Sequence, residues 1–145
     1  MANELRLSRR IAATPDEVFE AWTRAEHVNQ WLIPGAVTTR ARMDARAGGR
    51  FHIEMIDGED RNPHDGEYLR LERPHLLEFS WVSRATQQKR SVVTVELKAA
   101  GAGATDLTLT HRLLPDATAV AKHTGGWNLA LDKLVARYAA APTTA

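Results

Sequence analysis

The middle of the chain alternates hydrophobic and polar residues with a period of two. From Val37 to Leu113 each apolar run is short and ends in residues typical of turns. Strict alternation predicts half-buried β-strands, and connections too short for a crossover helix predict antiparallel neighbours. The stretch therefore predicts a six-stranded antiparallel meander. Its predicted inward positions include Phe51, Ile53, Met55, Leu77, Phe79, Trp81, Leu107, Leu109 and His111.

A first strand and a helix start precede the meander. Leu5 and Leu7 alternate with polar residues, which predicts a strand over residues 4 to 12. Thr14 and Glu17 have the spacing of a capping box, with a proline at the first helical position. This pattern predicts that a helix begins directly after the first strand.

A second capping pattern follows almost at once. Thr23 and Glu26 repeat the spacing of the first box, which predicts a second short helix. Because Pro34 disfavours helix for the residue before it, this helix should end near Trp31.

The last long pattern has a helical period. One apolar face is formed by Val120, Thr124, Trp127, Leu131, Leu134 and Tyr138. Gly125 and Gly126 lie within this helix, where each glycine costs about 1 kcal/mol relative to alanine. A glycine pair there indicates a close approach to another element or an opening, unless it reflects simple helix packing.

These elements predict an α+β fold of one strand, two short helices, six strands and a long helix. An antiparallel sheet must cover its apolar face, and the last helix is the one large element that can do so. A twisted seven-stranded sheet curls around such a helix, which predicts a cavity between them. We expect one domain over residues 1–145, with its core at about 4–138 and a disordered tail at 139–145.

Composition limits the possible partners. Nineteen basic and eighteen acidic residues give a net charge of +1, so no strong field favours nucleic acid or an anionic membrane. There is no cysteine, which excludes disulfides and thiolate chemistry. The first residues lack a signal core, and no apolar run approaches the roughly 18 residues of a membrane span. We therefore expect a cytoplasmic protein without a membrane span.

Several dispersed motifs resemble a known family. They are Ile11–Trp22, Gly48–Phe51, Gly66–Tyr68, Leu107–His111 and Gly125–Trp127. In this order they resemble the bacterial relatives of the C-terminal domain of the heat-shock-protein-90 ATPase activator. That family belongs to the START or SRPBCC superfamily, so the resemblance implies a helix-grip fold with a deep cavity for apolar ligands, and a link to the stress response. Members of the superfamily include lipid carriers, hormone receptors, polyketide cyclases and the co-chaperone domain.

The chain departs from the family in two respects. The Trp-Trp-Gly-Pro stretch that is frequent in the family appears here as Trp31–Gly35 with a single tryptophan. A stacking contact at that edge of the pocket is therefore not expected. The activator also works with an additional N-terminal domain that is not evident in this sequence. The resemblance therefore supports a small ligand as the partner more strongly than it supports a chaperone.

The candidate ligand-binding residues combine aromatic walls with a few polar groups. They are Trp22, Trp31, Phe51, Met55, Phe79, Trp81, His111, His123 and Trp127. Aromatic walls with an indole N–H suit an apolar ligand that bears one or two polar atoms. Trp22 and Trp31 are predicted to flank an entrance, since short helices are natural lids. The alternative is that the tryptophans simply fill the core.

Two histidines are the candidate polar groups of this cavity. Strand alternation places His111 on the inward face with Leu109, and His123 shares a helical face with Trp127. A buried imidazole needs a partner, so the pair is expected to bind a ligand's carbonyl or hydroxyl, to transfer a proton, or to form satisfied core contacts.

Three functions remain open on this reading. The first is binding of a small hydrophobic or amphipathic ligand. A homodimer is compatible with this function. The second is a polyketide-cyclase-like enzyme with His111 or His123 as acid and base, although familiar hydrolase, kinase and dehydrogenase motifs are absent. The third is a co-chaperone-like interaction module. No cofactor is implied by any of them.

Two charged clusters are interpreted as solvated surface. Asp57–Asp60 with His64 and Asp65 lacks calcium-loop spacing, which predicts an exposed hairpin turn and no metal site. The arginines of the second cluster have acidic neighbours and predict a solvated sheet face: Arg40, Arg42, Arg46 and Arg50.

Overall fold

The computed structural model describes residues 3–32 and 38–139 and confirms the predicted α+β order. The strands are β1 (Leu5–Ile11), β2 (Thr38–Met43), β3 (Arg50–Asp57), β4 (Asp60–Glu72), β5 (Leu76–Trp81), β6 (Ser91–Ala99) and β7 (Thr105–Arg112). The helices are α1 (Pro15–Thr23), α2 (Ala25–Trp31) and α3 (Ala117–Arg137), with a short 3-10 turn at Arg84–Thr86. The predictions for Val37, for residues 33–35 of the Trp31–Gly35 stretch and for a tail beyond Ala139 fall outside the described residues.

All seven strands form one antiparallel sheet in the order β1-β7-β6-β5-β4-β3-β2. β1 closes the order against β7, where Leu5 lies opposite His111. The sheet curls around α3, and Leu131 and Leu134 of this helix are fully buried against it. This is the helix-grip fold that the sequence predicts. Within the described ranges no helix is both long and apolar enough to cross a bilayer.

The start of α1 forms as predicted. The backbone N–H of Glu17 donates to Thr14 Oγ1 at 3.2 Å, and the backbone N–H of Thr14 donates to Glu17 Oε1 at 3.0 Å. Both halves of the capping box are therefore present, and Pro15 occupies the first helical position.

The second predicted capping box is wrong. The N-cap of α2 is Arg24, which makes no side-chain capping bond, and Thr23 instead donates its hydroxyl to the carbonyl of Phe19 at 2.9 Å. The reason is that α1 extends through Thr23, so its hydroxyl bonds back into its own helix. A single residue separates the two helices.

The hairpin of β3 and β4 is tighter than the sequence predicts. The exposed turn comprises only Asp57–Asp60, and β4 continues from there for thirteen residues. His64 therefore lies in a strand and is buried, which corrects its placement in a solvated turn. Farther along β4, Gly66 lies opposite Phe51, and a Cβ there would come within 2.2 Å of the Phe51 ring. Only glycine allows that ring to lie flat on the strand.

The buried face of α3 differs slightly from the predicted one. Its buried residues are Ala119, His123, Trp127, Ala130, Leu131 and Leu134. Gly125 and Gly126 are exposed, and a Cβ on either would meet no atom within 4 Å. None of the described elements therefore approaches the glycine pair closely. Val120 and Thr124 lie at the half-buried margin of the helix.

Thr14→Ala should lower the free energy of unfolding by about 1 kcal/mol, because it removes a capping acceptor from an N–H of α1. Thr23→Ala is the matched control, since it removes only a bond to a carbonyl that already serves the helix, and it should cost less than half as much. Urea denaturation of both variants measures the difference. Equal losses would contradict the assignment of the two caps.

Candidate functional site: a groove under helix α3

The predicted aromatic residues converge in the interior. Ring centroids are 5.3 Å apart for Trp81 and Trp127, 5.9 Å for Trp22 and Trp127, and 5.4 Å for Phe51 and Phe79. All five side chains are buried. Tilted and edge-to-face contacts of this kind add to the stability gained from burial alone.

Trp22 and Trp31 do not flank an entrance. Trp31 is 1% exposed, its ring lies 4.7 Å from that of Trp22, and its Nε1 donates to the carbonyl of Ala21 at 2.8 Å. α2 therefore places Trp31 against α1 as part of the core. The prediction failed because the short length of a helix does not reveal whether its tryptophan packs into the core or faces an opening.

A small cavity of about 20 Å³ lies among the aromatic side chains of the core. It is lined by Trp22, Val28, Trp31, Leu32, Met43, Phe51, Ile53, Tyr68, Phe79, Trp81 and Trp127. Within the described part of the chain, Trp22 Nε1, Tyr68 Oη and Trp81 Nε1 have no hydrogen-bond partner. Burial raises the pKa of the Tyr68 hydroxyl, so this group is neutral. The cavity holds about one water-sized group and is too small for an organic ligand.

A larger groove of about 150 Å³ lies next to this cavity, under α3. It is lined by Leu32, Met55, His64, Trp81, Ala85, Lys122, His123, Gly126, Trp127 and Ala130. Leu32, Trp81 and Trp127 line both spaces and so form the wall between them. The interpretation of the glycine pair as an opening therefore holds for Gly126, which lines the groove without a side chain to fill it.

The loop that contains Ala85, which lines the groove, is held by hydrogen bonds to two other parts of the chain. Arg84 donates to the carboxylate of Asp60 at 3.1 Å, and Gln87 donates to Asp116 at 2.7 Å. Gln87 and Gln88 have positive φ angles of 58° and 59°, which are unusual for residues other than glycine. These two tethers hold a strained loop between the β3–β4 hairpin and the N-cap of α3.

His111 points inward as predicted, and all its polar atoms have protein partners. Trp127 Nε1 donates to Nδ1 at 3.1 Å, so the ring proton lies on Nε2, which is 2.7 Å from Ser91 Oγ. Ser91 in turn donates to the carbonyl of Trp81 at 2.6 Å. Burial and the neighbouring His123 lower the pKa of His111 to about 3, so the ring is neutral. His111 lines neither space and serves as a core contact.

His123 approaches His111 and faces the groove. The two ring centroids are 4.8 Å apart at an interplanar angle of 81°. His123 Nδ1 donates to the carbonyl of Ala119 at 2.7 Å, whereas no described residue is bonded to Nε2. Burial, and then the charge of Lys122, lowers the pKa of His123, while the bond to Ala119 raises it. The groove thus contains a neutral imidazole with one unused acceptor nitrogen.

His64 is the groove residue that sequence reasoning missed. Its ring lies 5.0 Å from that of Trp81, and Nδ1 is 3.1 Å from the carbonyl of Asn62. Burial lowers its pKa to about 4. The signal that could have found it is the alternation of β4, in which His64 has the same parity as Tyr68, another buried residue.

The sequence of residues 12–139 matches the family model described as "Activator of Hsp90 ATPase homolog 1-like protein". The chain belongs to this family. The match covers the first helices, the meander and α3, and so confirms the resemblance of the dispersed motifs. A search of curated protein sequences finds no significant match.

Several solved structures share this fold. A protein from Chromobacterium violaceum has a TM-score of 0.86 at 24% identity, covering 96% of this chain and 99% of the other. The AHSA1 protein of Silicibacter pomeroyi has a TM-score of 0.79 at 27% identity, with coverage of 92% and 96%. A Plasmodium falciparum protein described as an HSP90 activator has a TM-score of 0.73 at 23% identity, covering 90% and 92%.

The buried histidines of this family member make its stability depend on pH. His64 and His111 have folded pKa values below the unfolded value of about 6.5, so the unfolded chain binds more protons as the pH falls. The contribution of these two neutral rings to the free energy of unfolding is fully present above pH 6.5 and is lost as the pH falls below it. The loss is about 1 kcal/mol for each histidine between pH 7 and 5.5.

His111→Gln isolates one part of this loss, because glutamine can accept from Trp127 and donate to Ser91 but does not titrate. Urea denaturation at pH 7 and 5.5 should show a pH-dependent loss about 1 kcal/mol smaller in the variant. His52, whose pKa is raised by Asp65, acts in the opposite direction but equally in both proteins. An unchanged pH dependence would mean that His111 is not held neutral in the fold.

Proposed function

We propose that this protein binds a small apolar or amphipathic molecule in the groove under α3. The observation that supports this most is the groove itself, which has a volume of about 150 Å³ and is walled by Met55, Trp81 and Trp127. Apolar walls with a few convergent polar groups are the usual features of a ligand site. In this groove the polar groups are two neutral histidines and one lysine.

The size of the groove limits the ligand. Sites for drug-sized molecules usually measure about 300–1,000 Å³, whereas this groove has the volume of about five water molecules in the liquid. One aromatic ring fits within this space and a second fused ring extends along the groove, whereas an acyl chain or a folded polyketide needs the wall of Trp81 and Trp127 to move. The proposal is therefore for a compact ligand.

An enzymatic role has weaker support from the geometry. The nitrogen atoms of His111 are both occupied, which leaves His123 and His64 as the histidines that face the groove. No described residue that lines the groove is a carboxylate or a hydroxyl, so neither histidine has the acidic partner that usually orients a catalytic imidazole there. Binding without turnover is the simpler function of this site.

A co-chaperone-like role is the second candidate, and the family supports it. The family model is described by Hsp90 ATPase activation, and one solved relative is described as an HSP90 activator. Binding to an Hsp90 chaperone, followed by stimulation of its ATPase, would be the direct test. Retention of the chaperone by the immobilised protein with no change in ATPase rate would count against this role.

Gly126→Leu should block ligand binding without unfolding the protein. Gly126 lines the groove, a Cβ at this position meets no atom of the described residues within 4 Å, and leucine favours helix over glycine. We expect naphthalene, a neutral two-ring probe, to bind the original protein and to lose at least tenfold in affinity in the variant, measured by chemical-shift titration.

Gly125→Leu is the matched control, because Gly125 is exposed on the same helix but does not line the groove. Both variants should be at least as stable as the original protein, and only the first should lose affinity. Failure of naphthalene to bind the original protein, or equal losses in both variants, would contradict the proposed site.

A further inference from the structure

We infer that the groove selects an uncharged aromatic compound whose hydroxyl group donates a hydrogen bond to His123 Nε2. This inference rests on the proposed function, since it names the chemical class that the same groove would bind. It adds one residue with a defined hydrogen-bonding role and predicts that anionic ligands bind more weakly than neutral ones.

The tautomer of His123 is set by its own helix. Nδ1 lies 2.7 Å from the carbonyl of Ala119, and a carbonyl can only accept, so Nδ1 carries the proton. Nε2 is then an acceptor at the far end of the ring, away from that helix carbonyl. Its pKa is lowered by burial, which keeps this nitrogen unprotonated near neutral pH.

The neighbouring histidine cannot satisfy this acceptor. His111 uses Nδ1 to accept from Trp127 and Nε2 to bond with Ser91, so it has no N–H left for His123. No other described residue is bonded to His123 Nε2. A donor to this nitrogen must therefore come from beyond the described residues, as water or as a bound ligand that displaces it.

A hydroxyl group suits the groove better than a pure donor does. The indole N–H of Trp81 is buried and has no acceptor among the described residues, and Trp81 lies in the wall between the groove and the small cavity. A hydroxyl both donates and accepts, so one group can donate to His123 Nε2 and still accept a hydrogen bond from the Trp81 N–H. An unmet buried N–H costs free energy that such a ligand would recover.

The surroundings favour a neutral aromatic ring. A carboxylate would face the lone pair of a neutral imidazole and the apolar walls, whereas Lys122, the one cationic residue among those that line the groove, is exposed and screened by solvent. Trp81 and Trp127 offer ring faces, and Met55 offers a sulfur that packs well against aromatic rings. One ring also matches the volume of about 150 Å³, and a second fused ring extends along the groove.

Four related probes test this inference on the intact protein by calorimetric titration at neutral pH: naphthalene, 2-naphthol, 2-methoxynaphthalene and 2-naphthoate. We expect 2-naphthol to bind about tenfold more tightly than naphthalene or 2-methoxynaphthalene, which is the gain from one buried hydrogen bond. 2-Naphthoate should bind more weakly than naphthalene. The nitrogen chemical shift of His123 Nε2 should move on addition of 2-naphthol but not of naphthalene.

His123→Phe should abolish the preference for 2-naphthol and retain naphthalene binding. Thr124→Ala is its matched control, because Thr124 makes the same type of side-chain bond to the preceding turn but does not line the groove. That control should keep the tenfold preference. If the phenylalanine variant does not fold, the probe series and the nitrogen shift of the original protein still decide the outcome.

The possible results separate this inference from the proposed function. If none of the probes binds, the proposed function itself is wrong. If naphthalene and 2-naphthol bind equally, the groove binds apolar molecules but the role of His123 Nε2 is wrong. Tightest binding of 2-naphthoate would also overturn the inference, since it would show that the site selects an anion.

Discussion

A buried chain of hydrogen bonds connects α3 to the sheet, and the rest of the interior depends on it. Trp127 donates to His111, His111 bonds with Ser91, and Ser91 donates to the carbonyl of Trp81. The chain therefore runs from α3 across β7 and β6 to β5. Each member is buried, so the loss of any one leaves a polar atom unsatisfied in the core. This requirement fixes how α3 lies against the concave face of the sheet.

The same contacts separate the small cavity of the core from the groove under α3. Trp81 and Trp127 stand at the boundary, with the small cavity on one side and the groove on the other. Both ring nitrogens of His111 are hydrogen-bonded within the core. His123 lies four residues before Trp127 on α3 and uses only Nδ1, so its Nε2 can accept a bond from a ligand in the groove. One histidine is therefore structural and its neighbour is available for recognition.

Local patterns in the sequence were sufficient for the strands, for the cap at Thr14 and for the inward register of His111, because each depends on spacing along one element. The cap at Thr23 could not be predicted in this way, since it depends on where α1 ends. His64 was missed because it was grouped with the acidic residues around the Asp57–Asp60 turn, although β4 begins at Asp60 and continues through His64. The volumes of the two spaces depend on how side chains from several elements pack together, which no local pattern contains.

The most direct test of the groove uses the two described methionines. Met55 lines the groove, and Met43 lines the small cavity of the core. With methyl-labelled methionine, nuclear Overhauser contacts from bound naphthalene identify which space the ligand occupies. Our account predicts contacts to the Met55 methyl group and none to that of Met43. Contacts to Met43 without Met55, or saturable binding with contacts to neither, would contradict it.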